Sequence, residues 1–127
     1  MAEAVRRIYH ITSRPAWDTA QQTGHYEAES LHTQGFIHLS KINQVLSVAN
    51  AIYTGQQDLI ILEVDPSRVT SDLRYEAPDM AVPAAHKIGD TFPHIYGTLN
   101  LDAVTHVHDF PPQSDGTFQL PDSIAAE

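Results

Sequence analysis

Asp58-Leu59-Ile60-Ile61-Leu62-Glu63-Val64 is the most apolar segment of the chain, and the pair Asp65-Pro66 ends it. A short apolar run that alternates little between its two faces is typical of a strand covered on both sides. We therefore expect this segment to be a buried central strand. A chain of 127 residues is long enough to build one core around such a strand, so we expect a single domain.

Two segments have helical patterns. Ser13 is placed as an N-cap, Pro15 suits a first turn and Gly24 can end the helix. The second helix is expected to start at Ser40 as its N-cap and to stop at Gly55. Its apolar positions follow the spacing of one helix face: Ile42, Val45, Leu46, Ala49, Ile52 and Tyr53.

The remaining segments predict short strands and loops. Strands are expected over residues 5–11, 36–39, 73–76, 95–99 and 104–110, and irregular loops over 25–34 and 77–90. The fold class is thus a small α+β domain with mixed or antiparallel short-stranded sheets and two main helices. Residues 1–110 form the globular domain in this prediction, and residues 111–127 form a C-terminal extension docked on it.

Composition excludes several classes of function. The net charge of −9 and seven scattered Lys and Arg residues argue against binding to nucleic acid, which needs clustered cations. The longest uninterrupted apolar run is Leu59–Leu62, so no membrane span is expected. Because there is no cysteine and no signal-peptide pattern, we expect a cytoplasmic protein without thiol chemistry.

Four strand-like segments each contain at least one histidine. They are Ile8-Tyr9-His10-Ile11-Thr12, Gly35-Phe36-Ile37-His38-Leu39-Ser40, Phe92-Pro93-His94-Ile95-Tyr96-Gly97 and Val104-Thr105-His106-Val107-His108. A buried imidazole needs partners for its nitrogens and titrates near neutrality. Histidines from distant segments that meet in one cavity would form a site, whereas a single one is usually a satisfied core residue.

Each histidine allows two interpretations. His10 is either a core residue that donates to a backbone carbonyl or a pocket residue beside the hydroxyls of Thr12 and Ser13. His38 and Ser40 lead into a predicted helix N-terminus, which either binds an anion through its free N–H groups or is an N-cap without a ligand. His94 and Tyr96 share a strand face, and they form either part of a site or a structural turn next to Pro93.

His106 and His108 have the same-face spacing used by metal sites, although the pair alone is a weak signal. Asp102 and Asp109 are the nearest carboxylates in the sequence. We assign no metal site, and keep a histidine-based metal-dependent hydrolase as a third hypothesis.

The ordered set of three motifs resembles an uncharacterised bacterial family, domain of unknown function 952. The motifs are Tyr9-His10-Ile11-Thr12, Gly35-Phe36-Ile37-His38-Leu39-Ser40 before a helix, and Phe92-Pro93-His94-Ile95-Tyr96-Gly97 with Leu99 and Leu101 after it. The resemblance covers roughly residues 5–110. It implies no established activity.

That family is similar, more distantly, to the ADP-ribosyltransferase fold. The resemblance implies that His10, with Thr12 after it, contacts a ribose of NAD, and that Gly35, Phe36, His38 and Ser40 frame a nicotinamide pocket. The third family position is often Glu, and its nearest equivalents in this chain are His94 and Tyr96. The resemblance thereby implies NAD as a substrate, and it implies no other cofactor.

The leading hypothesis is a histidine-lined pocket that binds NAD or a related nucleotide, with catalytic roles for His10, His38, His94 and Tyr96. Thr12, Gly35, Phe36 and Ser40 are the predicted ligand-binding residues. If the protein is an enzyme, we expect cleavage of the nicotinamide–ribose bond. The alternative is a non-catalytic module that binds a small anion or nucleotide. The sequence leaves the oligomeric state open.

Overall fold

The computed structural model describes residues 6–77 and 91–124. Within these ranges the chain forms eight strands and three α-helices, together with two short 3-10 turns. In chain order they are β1 (Ile8–Ser13), α1 (Arg14–Thr23), β2 (His25–Tyr26), α2 (Glu29–Thr33), β3 (Ile37–His38), α3 (Val45–Ile52), β4 (Leu59–Val64), β5 (Asp72–Glu76), β6 (Phe92–Tyr96), β7 (Leu99–Asn100) and β8 (Val104–Asp109).

The strands form three small sheets, and every pairing between them is antiparallel. The main sheet has the order β1-β4-β8, so the Leu59–Val64 strand is central, as its composition predicts. The second sheet has the order β3-β6-β5, and β2 pairs with β7. A small α+β domain with short antiparallel sheets is therefore confirmed.

Both faces of the main sheet are covered by apolar side chains. On one face, Ile60 and Leu62 pack with Trp17 of α1 and with Ile37 and Ile95 of the second sheet. On the other face lies a second cluster formed by Tyr9, Ile11, Val45, Ala49, Leu59, Ile61, Phe110 and Phe118. Coverage on both sides explains why β4 is apolar at almost every position.

Helix α1 has the capping residues that the sequence predicts. The Ser13 hydroxyl accepts a hydrogen bond of 3.2 Å from the Ala16 amide, and Pro15 lies in the first turn. Gly24 adopts a left-handed conformation with φ of 93°, and its amide donates to the Ala20 carbonyl. Glycine suits this position because it has no Cβ to oppose a positive φ.

The predicted start of the second main helix at Ser40 is wrong. The Ser40 amide and carbonyl both pair with Tyr9, at 2.7 and 2.8 Å, so this residue extends the sheet instead of capping a helix. The chain then turns, and Gln44 accepts from the Lys41 amide before α3 begins at Val45. Consequently, α3 begins five residues after Ser40, and the sequence argument for an anion at its N-terminus, beside His38 and Ser40, does not apply.

The predicted loop over residues 25–34 contains β2 and the short helix α2, which raises the number of α-helices from two to three. Tyr26 of β2 is 2% exposed and packs in the core, which anchors this otherwise polar segment. The other predicted loop, residues 77–90, lies outside the described residues apart from Ala77.

The strand predicted over residues 95–99 is two strands, β6 and β7, separated at Gly97. Gly97 has φ of 150°, and a Cβ there would lie 2.6 Å from the Ser71 hydroxyl oxygen. A side chain at this position would therefore collide with the neighbouring strand connection.

The segment after Phe110 packs on the main sheet. Phe118 is buried with its ring stacked on Phe110 at 4.7 Å, and Asn50 of α3 accepts from the Phe118 amide at 2.7 Å. The Gly55 amide also donates to the Gly116 carbonyl. In the described ranges, none of the helices has the length and apolar character needed to cross a membrane.

Candidate functional site

A cavity of about 350 Å³ lies between β1, the α2 region, the C-terminal part of α3 and the edge of the second sheet. Five of the predicted site residues line it: His10, Thr12, His38, Ser40 and His94. Most of the remaining wall is aromatic or aliphatic and includes Tyr9, Tyr26, Tyr53, Phe92, Leu39 and Leu59. The structure thus brings three of the predicted histidines together from three strands.

The wall of this cavity contains no Lys or Arg from the described residues, and Glu29 is its only carboxylate there. A site for a free anion normally supplies cationic side chains or the amides of a helix N-terminus. The wall includes Ala28 and Ser30 at the start of α2, but this helix has only five residues and carries Glu29 in its first turn. Without a cationic side chain, the cavity suits a neutral group that makes hydrogen bonds and stacks against rings.

His10 is a satisfied buried residue. Its Nδ1 lies 2.6 Å from the His38 carbonyl oxygen, and its Nε2 lies 2.7 Å from the Tyr26 hydroxyl oxygen. Burial lowers the pKa of His10 to about 4, so the ring is neutral at pH 7. The geometry combines both interpretations offered by the sequence: His10 donates to a backbone carbonyl like a core histidine, and it lines the cavity together with Thr12 and Ser13.

The hydrogen positions in this series of hydrogen bonds follow from the His38 carbonyl oxygen, which can only accept. Nδ1 of His10 must donate to the His38 carbonyl, which leaves Nε2 of the neutral ring as an acceptor. The Tyr26 hydroxyl then donates to Nε2, and the Thr12 hydroxyl, 2.9 Å from Tyr26 Oη, donates to Tyr26. Burial raises the pKa of Tyr26 to about 12, so this phenol stays protonated.

His38 lies beside both other histidines. Its carbonyl accepts from His10, its Nε2 lies 2.5 Å from Gln34 Oε1, and its ring meets the His94 ring edge-on at 5.4 Å. Since His38 and His94 are register partners in β3 and β6, their side chains lie on one face of the second sheet. Ile37 and Ile95 on the opposite face belong to the core.

His94 is buried with one ring nitrogen unpartnered. Nδ1 lies 2.9 Å from Glu76 Oε1, whereas Nε2 makes no hydrogen bond within residues 6–77 and 91–124. A buried polar atom without a partner costs about 1–3 kcal/mol. Because His94 lines the cavity, a ligand bound there could supply the missing partner.

Glu76 is a site residue that the sequence analysis missed. Its Oε1 accepts from the Tyr96 hydroxyl at 2.5 Å and from His94, and these two hydrogen bonds lower the pKa of Glu76. The same carboxylate raises the pKa of Tyr96. Nothing in the residue spacing indicates this pairing, because it depends on β5 lying beside β6.

Phe36 and Tyr96 do not line the cavity, but both support its wall. The Phe36 ring stacks on His94 at 4.3 Å and lies 5.2 Å from the Tyr96 ring. The Arg74 guanidinium lies over Tyr96 at 4.5 Å. Gly35, with φ of 91°, gives the chain the turn that leads into β3.

His106 and His108 form a separate cluster on the main sheet. His108 Nε2 lies 2.7 Å from Glu63 Oε1 and its Nδ1 lies 2.6 Å from the Ser123 hydroxyl oxygen, while His106 is exposed and 3.5 Å from Glu63. The described part of the chain contains no group of three or more His, Cys, Asp or Glu residues arranged to hold a metal ion. The geometry thus gives the metal-dependent hydrolase no ligand set there.

The sequence of this short-stranded α+β domain matches a family of unknown function. The model of the family "Protein of unknown function (DUF952)" matches residues 11–107. The chain belongs to this family, as its three motifs predict.

Solved structures of a Caulobacter crescentus protein, CC0527, are similar to this chain. Its crystal structure is 34% identical in sequence, with a TM-score of 0.77 and coverage of 89% of this chain and 93% of that chain; a double mutant of the same protein gives the same values. The solution NMR structure of CC0527 is 35% identical over 95% of this chain and 98% of that one, with a TM-score of 0.73. No curated protein matches this sequence.

Proposed function

We propose that the cavity binds a small ligand through a neutral, ring-containing group, and that NAD or a related nucleotide enters with its nicotinamide–ribose end. The observation behind this proposal is the aromatic cavity of about 350 Å³, whose polar wall groups are imidazoles, amides and hydroxyls apart from Glu29. Apolar pockets with a few fixed polar groups are the usual form of small-molecule sites.

The polar groups of the wall match such a ligand. The Thr12 hydroxyl and the Tyr26 phenol meet at the cavity wall, 2.9 Å apart, and can bind ribose hydroxyls or a carboxamide. Because the described wall lacks Lys and Arg, the pyrophosphate of a dinucleotide would stay outside, where solvent can hydrate it.

The likeness to ADP-ribosyltransferases adds a reaction to this proposal. On that analogy the nicotinamide–ribose bond breaks through an oxocarbenium-like state, which a nearby carboxylate stabilises. β6 has no Glu at the expected third position; Glu76 on β5 lies outside the cavity wall and would act only through its contact with His94. Transfer or hydrolysis at this bond is the catalytic form of the proposal.

A non-catalytic binding module is the second candidate. It is favoured by His10, both of whose nitrogens are engaged within the protein and whose depressed pKa keeps it uncharged. A residue in this state positions its neighbours and does not exchange protons near pH 7. A free inorganic anion is the less suitable ligand for this module, because the described wall has no cation.

Calorimetric titration of NAD, nicotinamide riboside and ADP-ribose tests the proposal. We expect NAD and nicotinamide riboside to bind, and ADP-ribose, which lacks nicotinamide, to bind more weakly. Thr12→Val removes one wall hydroxyl at constant volume and should weaken binding. Thr105→Val is the matched control, because Thr105 lies on β8, outside the cavity wall.

Flat traces for all three compounds would refute nucleotide binding. If NAD binds and nicotinamide is released over time, the catalytic form is supported. Binding without release supports the non-catalytic module.

A further inference from the structure

Three histidines are buried in the described part of the chain, and they differ in how their rings are satisfied: His10, His94 and His108. His10 is bonded at both nitrogens, to the His38 carbonyl and to Tyr26. His108 is likewise bonded at both, to Ser123 and Glu63. His94 alone among them has a buried nitrogen, Nε2, without a hydrogen-bond partner in residues 6–77 and 91–124.

The one hydrogen bond of the His94 ring fixes the position of its hydrogen when the ring is neutral. Glu76 is ionised at neutral pH and its oxygen can only accept, so Nδ1 of His94 must carry the hydrogen of the 2.9 Å contact. In the neutral ring, Nε2 is then a lone-pair acceptor. It can be satisfied only by an N–H or O–H group.

The side chains that contact His94 in residues 6–77 and 91–124 do not supply that donor. Phe36 covers one face of the ring at 4.3 Å and offers no polar atom. Arg74 pairs with His94 in the sheet register, but its guanidinium binds Asp72 and lies over Tyr96.

The orientation of the His94 ring is fixed through its bond to Glu76. Tyr96 donates to the same oxygen of Glu76 at 2.5 Å, which fixes the carboxylate that receives Nδ1. Turning the His94 ring over would break the bond to Glu76. Nε2 is therefore a preorganised acceptor in a residue that lines the cavity.

We propose that His94 is a specificity-determining residue, whose Nε2 accepts a hydrogen bond from the ligand. This inference rests on the proposed function, because it takes the cavity to be a ligand site. It names the class of ligand more narrowly: the bound part presents an uncharged N–H or O–H donor, such as a carboxamide or a sugar hydroxyl. Molecules of the same shape with acceptors only are disfavoured, since they would leave Nε2 unsatisfied.

Matched ligands test this selectivity. NAD is compared with its 3-acetylpyridine analogue, in which a methyl ketone replaces the carboxamide, and with 2′-deoxy-NAD, which lacks a ribose hydroxyl. The analogue that lacks the donor to Nε2 should bind about tenfold more weakly, the value of one buried hydrogen bond. Nicotinamide and 3-acetylpyridine form the corresponding fragment pair.

Two variants assign the discrimination to His94. His94→Phe keeps the ring that stacks on Phe36 but removes the acceptor, so the difference between NAD and the affected analogue should disappear. His94→Gln instead provides an acceptor oxygen in place of Nε2, so part of this difference in affinity should remain. Nitrogen NMR of the histidine rings provides a second readout: His94 Nε2 should be unprotonated in the ligand-free protein and should shift towards the protonated range when NAD binds.

The outcomes distinguish the role of His94 from the proposed binding of a nucleotide. If NAD and both analogues bind equally, the role of His94 is refuted while nucleotide binding stands. If NAD fails to bind but nicotinamide binds better than 3-acetylpyridine in a His94-dependent way, the nucleotide proposal fails and this inference stands. No binding by any compound would overturn both. A protonated Nε2 in the free protein overturns the inference even if the variants do not fold.

Discussion

The Tyr26 hydroxyl oxygen lies 2.7 Å from Nε2 of His10, and both residues line the cavity. The contact joins the two-residue strand β2 to the main sheet through a pair of side chains. Because Tyr26 also meets Thr12, one phenol satisfies polar atoms of two β1 residues. The wall of the cavity is therefore built by the same hydrogen bonds that stabilise the fold around it.

Removing this hydroxyl should destabilise the protein. In Tyr26→Phe, Nε2 of His10 loses its donor while the ring stays buried, and we expect a loss of about 1–3 kcal/mol in the free energy of unfolding. Urea denaturation followed by circular dichroism measures the change. Tyr53→Phe is the control, because the Tyr53 hydroxyl makes no hydrogen bond within the described ranges. Equal losses in the two variants would contradict a specific role for the Tyr26–His10 bond.

The depressed pKa of His10 predicts a pH dependence of stability. The folded protein keeps His10 neutral down to about pH 4, whereas the unfolded chain takes up the proton near 6.5. The unfolded state thus binds more protons between these values, and stability should fall as the pH falls from 6.5 towards 4, by up to about 3 kcal/mol.

Chemical denaturation at pH 7 and at pH 4.5 tests this, with His10→Gln as the comparison. The variant loses the titrating group, so its stability should change less between the two pH values than that of the wild type. The same slope in both proteins would show that other groups cause the pH dependence.

Local patterns predicted the parts of the fold that depend on neighbouring residues. The apolar run Leu59–Val64 identifies the central strand, and Ser13 and Gly24 delimit α1, because burial and capping act over a few residues. Ser40 shows where this fails. It is as suitable an N-cap as Ser13, but its backbone is already paired with Tyr9, which lies thirty-one residues earlier in the chain.

In the candidate site too, local sequence patterns predict some residues, whereas others depend on contacts between distant segments. Histidine-containing strands indicated His10, His38 and His94, which do meet in space. Glu76 and Tyr26 could not be found in this way. The first becomes a partner of His94 through the β5–β6 register, and the second reaches His10 only because β2 folds back beside β7.

The contact between Glu76 and Tyr96 should be visible in the titration of the phenol. Hydrogen bonding to the Glu76 carboxylate raises the pKa of Tyr96 above its usual value near 10. In Glu76→Gln the acceptor is uncharged, so the pKa of Tyr96 should move back towards that value. NMR of the tyrosine ring carbons across alkaline pH measures it.

Asp72→Asn is the matched control for this titration, because Asp72 contributes less to the raised pKa of Tyr96 and binds Arg74 directly. We expect a smaller shift in that variant. An unchanged Tyr96 titration in Glu76→Gln would mean that the Tyr96 hydroxyl is not hydrogen-bonded to Glu76 in solution.

The C-terminal segment should contribute to stability through Phe118. Its ring is 2% exposed and stacks on Phe110, so Phe118→Ala would leave a cavity against the main sheet and cost about 3–5 kcal/mol. Leu120, two residues further on, is 37% exposed, and Leu120→Ala should change stability by no more than about 0.5 kcal/mol. Since small domains have total stabilities of about 5–15 kcal/mol, the first loss would be large enough to lower the urea midpoint clearly. Similar midpoints for the two variants would mean that the segment does not pack on the sheet in solution.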